Sequence, residues 1–388
     1  MNQIKTLTDF NQIFALSQFA FQYELSDEAF SKKKEEAQRH IIWGWMDDNN
    51  QLAAKLHLIP LSCYINGQAF QMGGISSVAT WPEFRRQGAA KNLLHHALKY
   101  MQNNGQTISF LHPFAFSFYR KYGWEHFISE KIYDIPIVKL KRSWEGKGYV
   151  RRINESDIDL LHTIYTEYAK NYNGTLVRDE KWWKQRVLNG NYHIAAAYNE
   201  ANHAEGYIIY NVKENAVHVA EIADTSLNGK QLLLEFIANH DSMAKRVEMI
   251  VPENDNLPLL VDEPKFDQKI NPYFMARIVD VFAFLKQYPF LESNVQAITL
   301  KVTDDFLPEN NGVYQLSQIG EDTKVTFMRH QDHQNVVHVS IQYLTSMLMS
   351  YKRPMELFNA GLIEGKQEHV EQLEKVIPNR QTFFPDFF

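Results

Sequence analysis

The stretch Gly73–Lys91, GGISSVATWPEFRRQGAAK, constrains the fold of this chain more than any other. We predict a strand that ends at Thr80, a bend at Trp81–Pro82, and a helix that opens at Gly88. The first backbone N–H groups of a helix have no partner within it and lie at the positive end of the helix dipole, so they form an anion site. Gly88 and the two alanines after it leave this backbone open to a pyrophosphate.

Cationic side chains accompany the predicted anion site. Arg85, Arg86 and Lys91 can all contact a phosphate, and the guanidinium groups can do so with two hydrogen bonds each. We therefore predict a site for a pyrophosphate with a pendant nucleotide, with a simply capped helix and a solvated basic face as the alternative. Neither a Walker lysine motif nor G-x-G-x-x-G is present, which disfavours nucleoside triphosphate and Rossmann-type sites.

The order of predicted elements indicates an α/β protein with α+β layers. Residues 1–145 contain two helices, antiparallel strands, a helix, a strand, a short helix and another strand. A similar order begins again at Tyr149. We therefore interpret residues 146–265 as a degenerate repeat of the first domain.

The third predicted domain comprises residues 266–388. Four prolines between Pro252 and Pro272 mark the boundary before it. We predict that it opens with a helix at Phe274–Phe284, continues through strands and ends in helices.

Composition excludes several classes of function. Forty-six acidic residues against 40 basic ones give a net charge of −6, which argues against a nucleic-acid or anionic-membrane partner. Cys63 is the only cysteine, so neither an intramolecular disulfide nor a thiolate metal cluster can form. The fifteen histidines lack metal-ligand spacing, so we expect no metal. A start without a basic and apolar leader, and the lack of a long apolar run, indicate a cytoplasmic protein without a membrane segment.

Two motifs carry a resemblance to a known superfamily. The RRQGAA helix opening resembles the acetyl-CoA signature of the GNAT N-acetyltransferases, and Phe118–Trp124, FYRKYGW, resembles their aromatic-Tyr element. The stretches GISSVAT, LHPFAFSFYRKYGW and NPYFMARIVDV, together with a terminal Phe388, are similar to the enhanced intracellular survival (Eis) family. This resemblance covers essentially the full chain and is faint between residues 150 and 260.

The resemblance implies a domain plan. Residues 1–145 would form the catalytic GNAT domain that binds acetyl-CoA, and 146–265 a GNAT-like domain that has lost the cofactor. Residues 266–388 would form a sterol-carrier-protein-like domain with a catalytic C-terminus. The segment Asp224–Lys230, DTSLNGK, lacks an arginine pair, so we expect no second cofactor site. The family also implies a homohexamer.

The resemblance further implies roles for individual residues. The strand backbone at Val78, Ala79 and Thr80 would pair with the pantetheine arm, and Phe114 and Ala115 would complete the cofactor wall. Residues of the helix opening would hold the pyrophosphate: Arg85, Arg86, Gln87, Gly88, Ala89, Ala90 and Lys91. Each of these residues also has a purely structural interpretation, as core or solvated surface.

Catalytic and acceptor-site roles follow from the same resemblance. Tyr119 would be the general acid, since tyrosine stays protonated at neutral pH, and the main-chain carboxylate of Phe388 would be the base. Four phenylalanines in the ending FFPDFF favour a buried terminus. Asp386 adds negative charge that would attract a cationic amine, and Ser76 and His112 would line the acceptor pocket. The alternatives are a structural role for Tyr119 and for His112, and a tail whose aromatic residues only hold the last domain to its neighbours.

The expected reaction is transfer of an acetyl group from acetyl-CoA to the amines of a polycationic small molecule. Aminoglycosides are implied by the resemblance alone, and polyamines or lysine side chains are alternatives within the same chemistry. A non-catalytic protein that binds CoA or an apolar ligand, and an oligomeric scaffold, are the competing classes.

Overall fold

The computed structural model describes residues 4–140, 144–295, 297–320, 323–329 and 336–388. The elements of the first predicted domain are β1 (Ile4–Thr6), α1 (Phe10–Phe21), α2 (Asp27–Ala37), β2 (Ile41–Met46), β3 (Leu52–Ile65), β4 (Gln68–Thr80), α3 (Ala89–Asn103), β5 (Ile108–Leu111), α4 (Phe116–Arg120) and β6 (Glu125–Pro136). Strand β1 was not predicted from the sequence, and the other elements follow the predicted order.

Local signals explain where these elements begin and turn. The carboxylate of Asp9 caps α1 by accepting from the backbone of Asn11, and Ser26 caps α2. Asn66 and Gly67 both have positive φ, as a tight hairpin between β3 and β4 requires. The apolar stripe of α3 then covers one face of β2, β3 and β4.

The second predicted domain repeats this plan. Its elements are β7 (Tyr149–Ile153), α5 (Ile158–Ala169), α6 (Glu180–Trp182), β8 (His193–Tyr198), β9 (Ala204–Lys213), β10 (Ala216–Asp224), α7 (Leu227–Ala238), β11 (Arg246–Val251) and α8 (Leu257–Leu260), with a π-helical turn at Trp183–Val187 after α6. Strands β10 and β11 are parallel and are joined by α7, just as β4 and β5 are parallel and joined by α3.

Both halves share one twelve-stranded sheet, in which they exchange their last strands. The order is β1-β2-β3-β4-β5-β12-β6-β11-β10-β9-β8-β7, where β12 is Asp267–Ile278. Strand β6 follows β5 in the chain but pairs with β11. Strand β12 is the last strand of the second half in the chain, but it lies between β5 and β6 of the first half. Each half is therefore completed by a strand of the other.

The remaining elements form a smaller sheet covered by helices. They are α9 (Val281–Gln287), β13 (Ala297–Thr303), β14 (Gly312–Ser317), β15 (Lys324–Met328), β16 (Val337–Ser340), α10 (Ile341–Leu348), α11 (Pro354–Asn359) and α12 (Gln367–Val376). The strand order is β15-β14-β13-β16. The predicted helix at Phe274–Phe284 is wrong over its first half, because these residues end β12, and the cap of Asp280 starts α9 only afterwards.

After α12 the chain returns to the large sheet. Asn173 exchanges two backbone hydrogen bonds with this tail: its N–H donates to the Gln381 carbonyl at 2.9 Å, and its carbonyl accepts from the Phe383 N–H at 3.0 Å. Phe384 and Phe388 belong to the same apolar core as residues of β4, β5, β6 and β12. The tail is thus packed as part of the fold.

Candidate active site

Strands β4 and β5 separate at the centre of the first half. Their parallel pairing ends where Ile75 lies opposite Leu111, and β4 then continues to Thr80 while β5 stops. Within the described residues, no strand pairs with this side of β4 beyond Ile75. Its backbone groups are therefore available to an extended ligand.

The free segment of β4 holds the strand residues predicted to bind the cofactor. Val78 and Thr80 are half-buried, and Ala79 is buried against the α1 side of the sheet. Ser76 pairs with His57 of β3, and Ser77 has φ +51° at an irregularity in the β3–β4 register. This irregularity is a bulge that turns the backbone of β4 at the point where β5 leaves it.

The start of α3 is open in the way an anion site requires. Gly88 is the N-cap residue with φ +84°, and no side chain caps the helix. A Cβ placed on Gly88 would meet only the Asn92 amide nitrogen, at 3.6 Å, so the approach to the backbone is clear. In the first turn of α3, Ala89 is buried and Ala90 is half-buried. The residues present therefore fit a pyrophosphate.

Three cationic residues flank this helix start in the sequence. Arg85, Arg86 and Lys91 are exposed, and within the described ranges none of them forms an ion pair. Arg86 has φ +64°, so the loop already holds a left-handed conformation next to Gly88. The amide of Gln87 is used within the loop, where it donates to the carbonyl of Glu83 at 3.1 Å.

The corresponding helix start in the second half is closed. Ser226 caps α7 by accepting from the backbone of Gly229 at 3.0 Å, and the Glu205 carboxylate accepts from Ser226 and Asn228. A Cβ on Gly229 would overlap the Glu205 backbone. A carboxylate and close packing occupy the place of a pyrophosphate, so α7 cannot form a second site of this kind.

Tyr119 lies in α4 beside the end of β5. It is 4% exposed, and its ring packs against Phe114, Phe118 and Trp124. Burial raises the pKa of its phenol above the usual value, which keeps the hydroxyl protonated at neutral pH. Within the described residues this hydroxyl has no hydrogen-bond partner. Phe114 is 75% exposed, which excludes the interpretation of Phe114 as core, and Ala115 is half-buried.

The C-terminal residue lies against the strand that borders the gap. Phe388 is 5% exposed, and its ring occupies the space beside Gly74, where a Cβ would come within 2.8 Å of it. The preceding Phe387 packs on His112, with ring centroids 5.1 Å apart. The structure therefore brings the chain terminus against the paired part of β4 and β5, and Phe387 against His112 just after β5 ends.

A buried ion cluster holds this tail in place. Arg178 donates to Asp386 at 3.0 Å and to Glu221 at 2.8 Å, and the indole of Trp182 donates to Asp386 at 2.7 Å. The predicted role of Asp386, to attract a cationic amine, is wrong because its charge is paired with Arg178 inside the protein. Sequence analysis missed Arg178, which contacts Asp386 only in the folded chain.

An open cleft of about 1030 Å³ lies between α2, the second half and the tail. Acidic and basic side chains line it in equal number: Glu35, Glu36, Glu155, Glu221 and Asp386 on one hand, and Lys32, Lys33, Arg178, Lys184 and Arg186 on the other. Its charge is balanced, so it is not the acidic pocket that a polycationic acceptor would favour most.

Sequence analysis also missed a polar pair inside β3. Lys55 and His57 are both buried, on the face of the sheet that α1 contacts. Lys55 contacts Ser77 at the bulge of β4. Two polar residues at i and i+2 in the otherwise apolar segment LAAKLHLI are the signal that could have revealed them.

Comparison with known proteins gives the family of each domain. Residues 4–127 and 174–278 each match a family model described as an acetyltransferase (GNAT) domain, and residues 281–385 match a sterol carrier protein domain. The protein is an acyl-CoA-dependent N-acetyltransferase of the GNAT type. The predicted fold class, two GNAT-like domains followed by a sterol-carrier-like one, is confirmed, and the GNAT domains imply acetyl-CoA as cosubstrate.

Solved structures share this fold over the whole chain. A probable N-acyltransferase of unknown function from Enterococcus faecalis V583 is 24% identical, with full coverage of both chains and a TM-score of 0.93. A GCN5-related N-acetyltransferase from Anabaena variabilis is 22% identical, again with full coverage and a TM-score of 0.89. Eis1 from Mycobacterium abscessus is 18% identical over both full chains, with a TM-score of 0.82. No curated protein matches the chain significantly.

Two further observations bear on ligands and location. Within the ranges that the structure describes, no three potential metal-ligating His, Cys, Asp or Glu side chains come together. In the same ranges, no helix combines the length and apolar character needed to span a bilayer.

We expect Arg86→Ala to weaken CoA binding roughly tenfold to a hundredfold, as for loss of one charge-assisted hydrogen bond of about 1.5–3 kcal/mol. Isothermal titration with CoA measures this effect. Lys324→Ala, which removes an exposed cation from β15 in the third domain, is the matched control and should bind CoA as the wild type does. Equal affinity of the Arg86 variant would contradict the assignment of the α3 start.

Proposed function

We propose that this protein transfers the acetyl group of acetyl-CoA to a primary amine, using Tyr119 as general acid and the terminal carboxylate of Phe388 as base. One observation carries the proposal: β4 has a free edge beyond Ile75 and leads to the uncapped start of α3, and the ring of Phe388 is buried against Gly74 of the same strand. A GNAT domain supplies the first feature. The second requires a tail packed into the fold, as this one is.

Binding of acetyl-CoA would use groups already in position. The free edge of β4 at Val78, Ala79 and Thr80 would pair with the pantetheine arm, and the exposed Phe114 and adjacent Ala115 would cover it. The diphosphate would be held by Arg85, Arg86, Gln87, Gly88, Ala89, Ala90 and Lys91. When bound, acetyl-CoA supplies a thioester whose acetyl group the amine takes and whose thiolate leaves.

Two protons must move in this reaction. The acceptor arrives as an ammonium ion, and the Phe388 carboxylate would take one of its protons so that the amine can attack. The departing sulfur requires a proton, which the Tyr119 hydroxyl would donate. Burial suits this second role, because it keeps the phenol protonated while surrounding it with apolar rings. The nitrogen loses a second proton as the amide forms, and this proton would restore the Tyr119 hydroxyl, so that one proton is released in each turnover.

We place the acceptor in the cleft beside the tail, from which it would reach Ser76 and His112. Neither residue lines the cleft itself, but His112 packs on Phe387, which does. We propose an Eis-like enzyme for polycationic small molecules of the aminoglycoside type, with hexameric assembly and a cytoplasmic location, as the resemblance implies. The similarity of the fold to that of Eis1 from Mycobacterium abscessus supports membership in that family. The balanced charge of the cleft keeps polyamines and lysine side chains as alternative acceptors.

Release of free thiol from acetyl-CoA tests the proposal. The wild type is assayed with aminoglycosides, polyamines and lysine-containing peptides in parallel. Turnover with aminoglycosides above the other two groups would support the full proposal, and turnover with another group would reassign the acceptor. A protein that binds CoA but releases no thiol with any of these amines would contradict the proposed transfer to them.

We expect a chain extended by two glycines after Phe388 to lose at least about tenfold in kcat, because the terminal carboxylate would then lie two residues beyond Phe388, whose ring is packed beside Gly74. Affinity for CoA should change little, since the diphosphate site is distant in sequence and borders α3. Steady-state kinetics and CoA titration of the same preparation separate the two effects. An extension of equal length at the N-terminus is the control, and full activity of the C-terminally extended enzyme would refute the role of the carboxylate.

A further inference from the structure

A lysine is buried beneath the bulge of β4 without a carboxylate beside it. Lys55 is 0% exposed, and its ammonium nitrogen Nζ lies 2.6 Å from Ser77 Oγ, 3.1 Å from the Ser77 carbonyl oxygen and 3.1 Å from His57 Nε2. Within the described residues, Lys55 has no acidic partner. Burial of a charged amine without a counter-ion is costly, so this position favours a lysine that can exist as the neutral amine.

The contacts continue from Lys55 to the cleft. His57 Nδ1 lies 3.2 Å from His40 Nδ1, so one ring donates to the other. His40 Nε2 lies 3.9 Å from the Glu36 carboxylate, a distance that a water molecule can bridge. Glu36 lines the cleft, where it also pairs with Arg186. A chain of polar groups therefore runs from the bulge to the cleft wall.

Burial makes each nitrogen in this chain a weak base. It lowers the pKa of Lys55 to about 7, with a further contribution from Lys33, and that of His40 to about 3, with contributions from Arg186 and Arg39. It also lowers the pKa of His57 well below its usual value. The titratable or charged groups that face the chain from neighbouring elements are Tyr23, Lys33, Glu36, Arg39 and Arg186.

We propose that Lys55, His57 and His40 form a proton path that carries the proton released by the acceptor amine from Ser77 to the cleft at Glu36. The path rests on the proposed acetyl transfer, which leaves a proton to be disposed of in each turnover. Ser77 is half-buried on the segment of β4 that β5 leaves free, and its hydroxyl contacts Lys55 and Ser17 on the buried side. Lys55 is then a proton-carrying and positioning residue, which acts through the groups that touch the substrate.

Protons balance along this path. The Ser77 hydroxyl receives the proton released by the acceptor amine. At the same time it gives its own proton to the neutral amine of Lys55. Lys55 Nζ then passes one proton to His57 Nε2, and His57 Nδ1 passes its own proton to His40 Nδ1. His40 releases its Nε2 proton toward Glu36 and water. Each group ends with as many protons as it began, one proton enters at Ser77 and one leaves at the cleft.

Kinetics against pH test the path. In the wild type, kcat should rise with pH through an apparent pKa near 7 as Lys55 becomes neutral. Lys55→Met should lower kcat about tenfold and lose this rise, while its affinity for CoA stays unchanged. His40→Phe, which cuts the path at its far end and leaves Lys55 at the bulge, should lower kcat by a similar factor. Lys99→Met, on the opposite face in α3, is the matched control.

The outcomes separate this inference from the proposed function. A wild type that releases no thiol with any amine would remove the acetyl transfer and the path together. An active Lys55→Met enzyme with the wild-type kcat and pH profile would remove the path alone. A His40→Phe enzyme at full rate, with Lys55→Met slow, would leave Lys55 as a support of the bulge and also refute the path.

A second measurement is independent of turnover. Because the pKa of Lys55 is lower in the folded chain than in the unfolded chain, the folded state binds fewer protons between about pH 7 and 10.5. The stability of the wild type should therefore rise with pH across this window relative to Lys55→Met. Thermal melts of both proteins at pH 7, 8 and 9 measure the difference in Tm, and a constant difference would contradict a lysine that is neutral in the folded protein.

Discussion

Tyr119→Phe should lower kcat by roughly a hundredfold to ten-thousandfold, the usual contribution of a positioned general acid. The substitution removes one hydroxyl and leaves the ring among Phe114, Phe118 and Trp124, so the local packing is retained. Affinity for CoA should remain within about a factor of two of the wild-type value, since the diphosphate site is at α3. Thiol release under saturating acetyl-CoA, together with CoA titration, measures both quantities.

Tyr122→Phe is the matched control for this experiment. Tyr122 lies three residues further on, and its ring packs against Phe118 and Phe306. Loss of its hydroxyl should leave kcat nearly unchanged. A Tyr119→Phe enzyme that turns over like the control would show that another group protonates the leaving sulfur.

Arg178→Met should lower the free energy of unfolding by roughly 3–5 kcal/mol, as expected when one partner of a buried ion pair is removed. Arg178 is 3% exposed and lies between Glu221 and Asp386, with the rings of Tyr165 and Trp183 packed against its guanidinium. Methionine fills part of the space but leaves two buried carboxylates without their cation. Urea unfolding followed by tryptophan fluorescence measures the loss.

The effect should extend to catalysis because Asp386 lies two residues before the chain terminus. With Arg178 gone, the tail loses a principal anchor, and kcat should fall together with stability at temperatures where the protein is still folded. Arg246→Met is the control: its ion pair with Asp134 is about 40% exposed, so it should cost under about 1 kcal/mol. Equal losses in the two variants would contradict the anchoring role of Arg178.

The sequence predicted those parts of the candidate site whose residues lie close together in the chain. The bend after Thr80, the glycine at position 88 and the arginines before it lie within one loop, so their local chemistry determines an open helix start. Tyr119 was singled out by its motif, and its role as general acid stays a prediction. The fold class could be predicted because the order of elements repeats along the chain.

The features that sequence analysis missed depend on residues far apart in the chain. Arg178 and Asp386 are separated by about two hundred residues, so only the folded chain shows that the charge of Asp386 is already paired. Lys55 is buried on the face of the sheet that α1 contacts, and its partner Ser77 lies on the next strand. The polar pair at positions 55 and 57 marks an unusual place in β3, but the sequence does not show which groups contact it.

The error at Phe274–Phe284 has a similar origin. The segment contains enough apolar residues to suit either a helix or a buried strand, and short apolar runs do not distinguish the two. Pairing with β5 and β6 decides in favour of the strand, because it satisfies the backbone groups of both neighbours. The segment forms a strand because β5 and β6, which lie more than a hundred residues earlier in the chain, leave a place for it between them.

The strand exchange between the two halves sets the order in which this enzyme can mature on the ribosome. Strand β5 emerges long before β12, its partner in the finished sheet, so the nascent first half has no native neighbour on that edge until the whole second half has been translated. During that interval an unpaired strand edge is available for association with other chains. A fragment that stopped before β12 would keep this edge of β5 exposed.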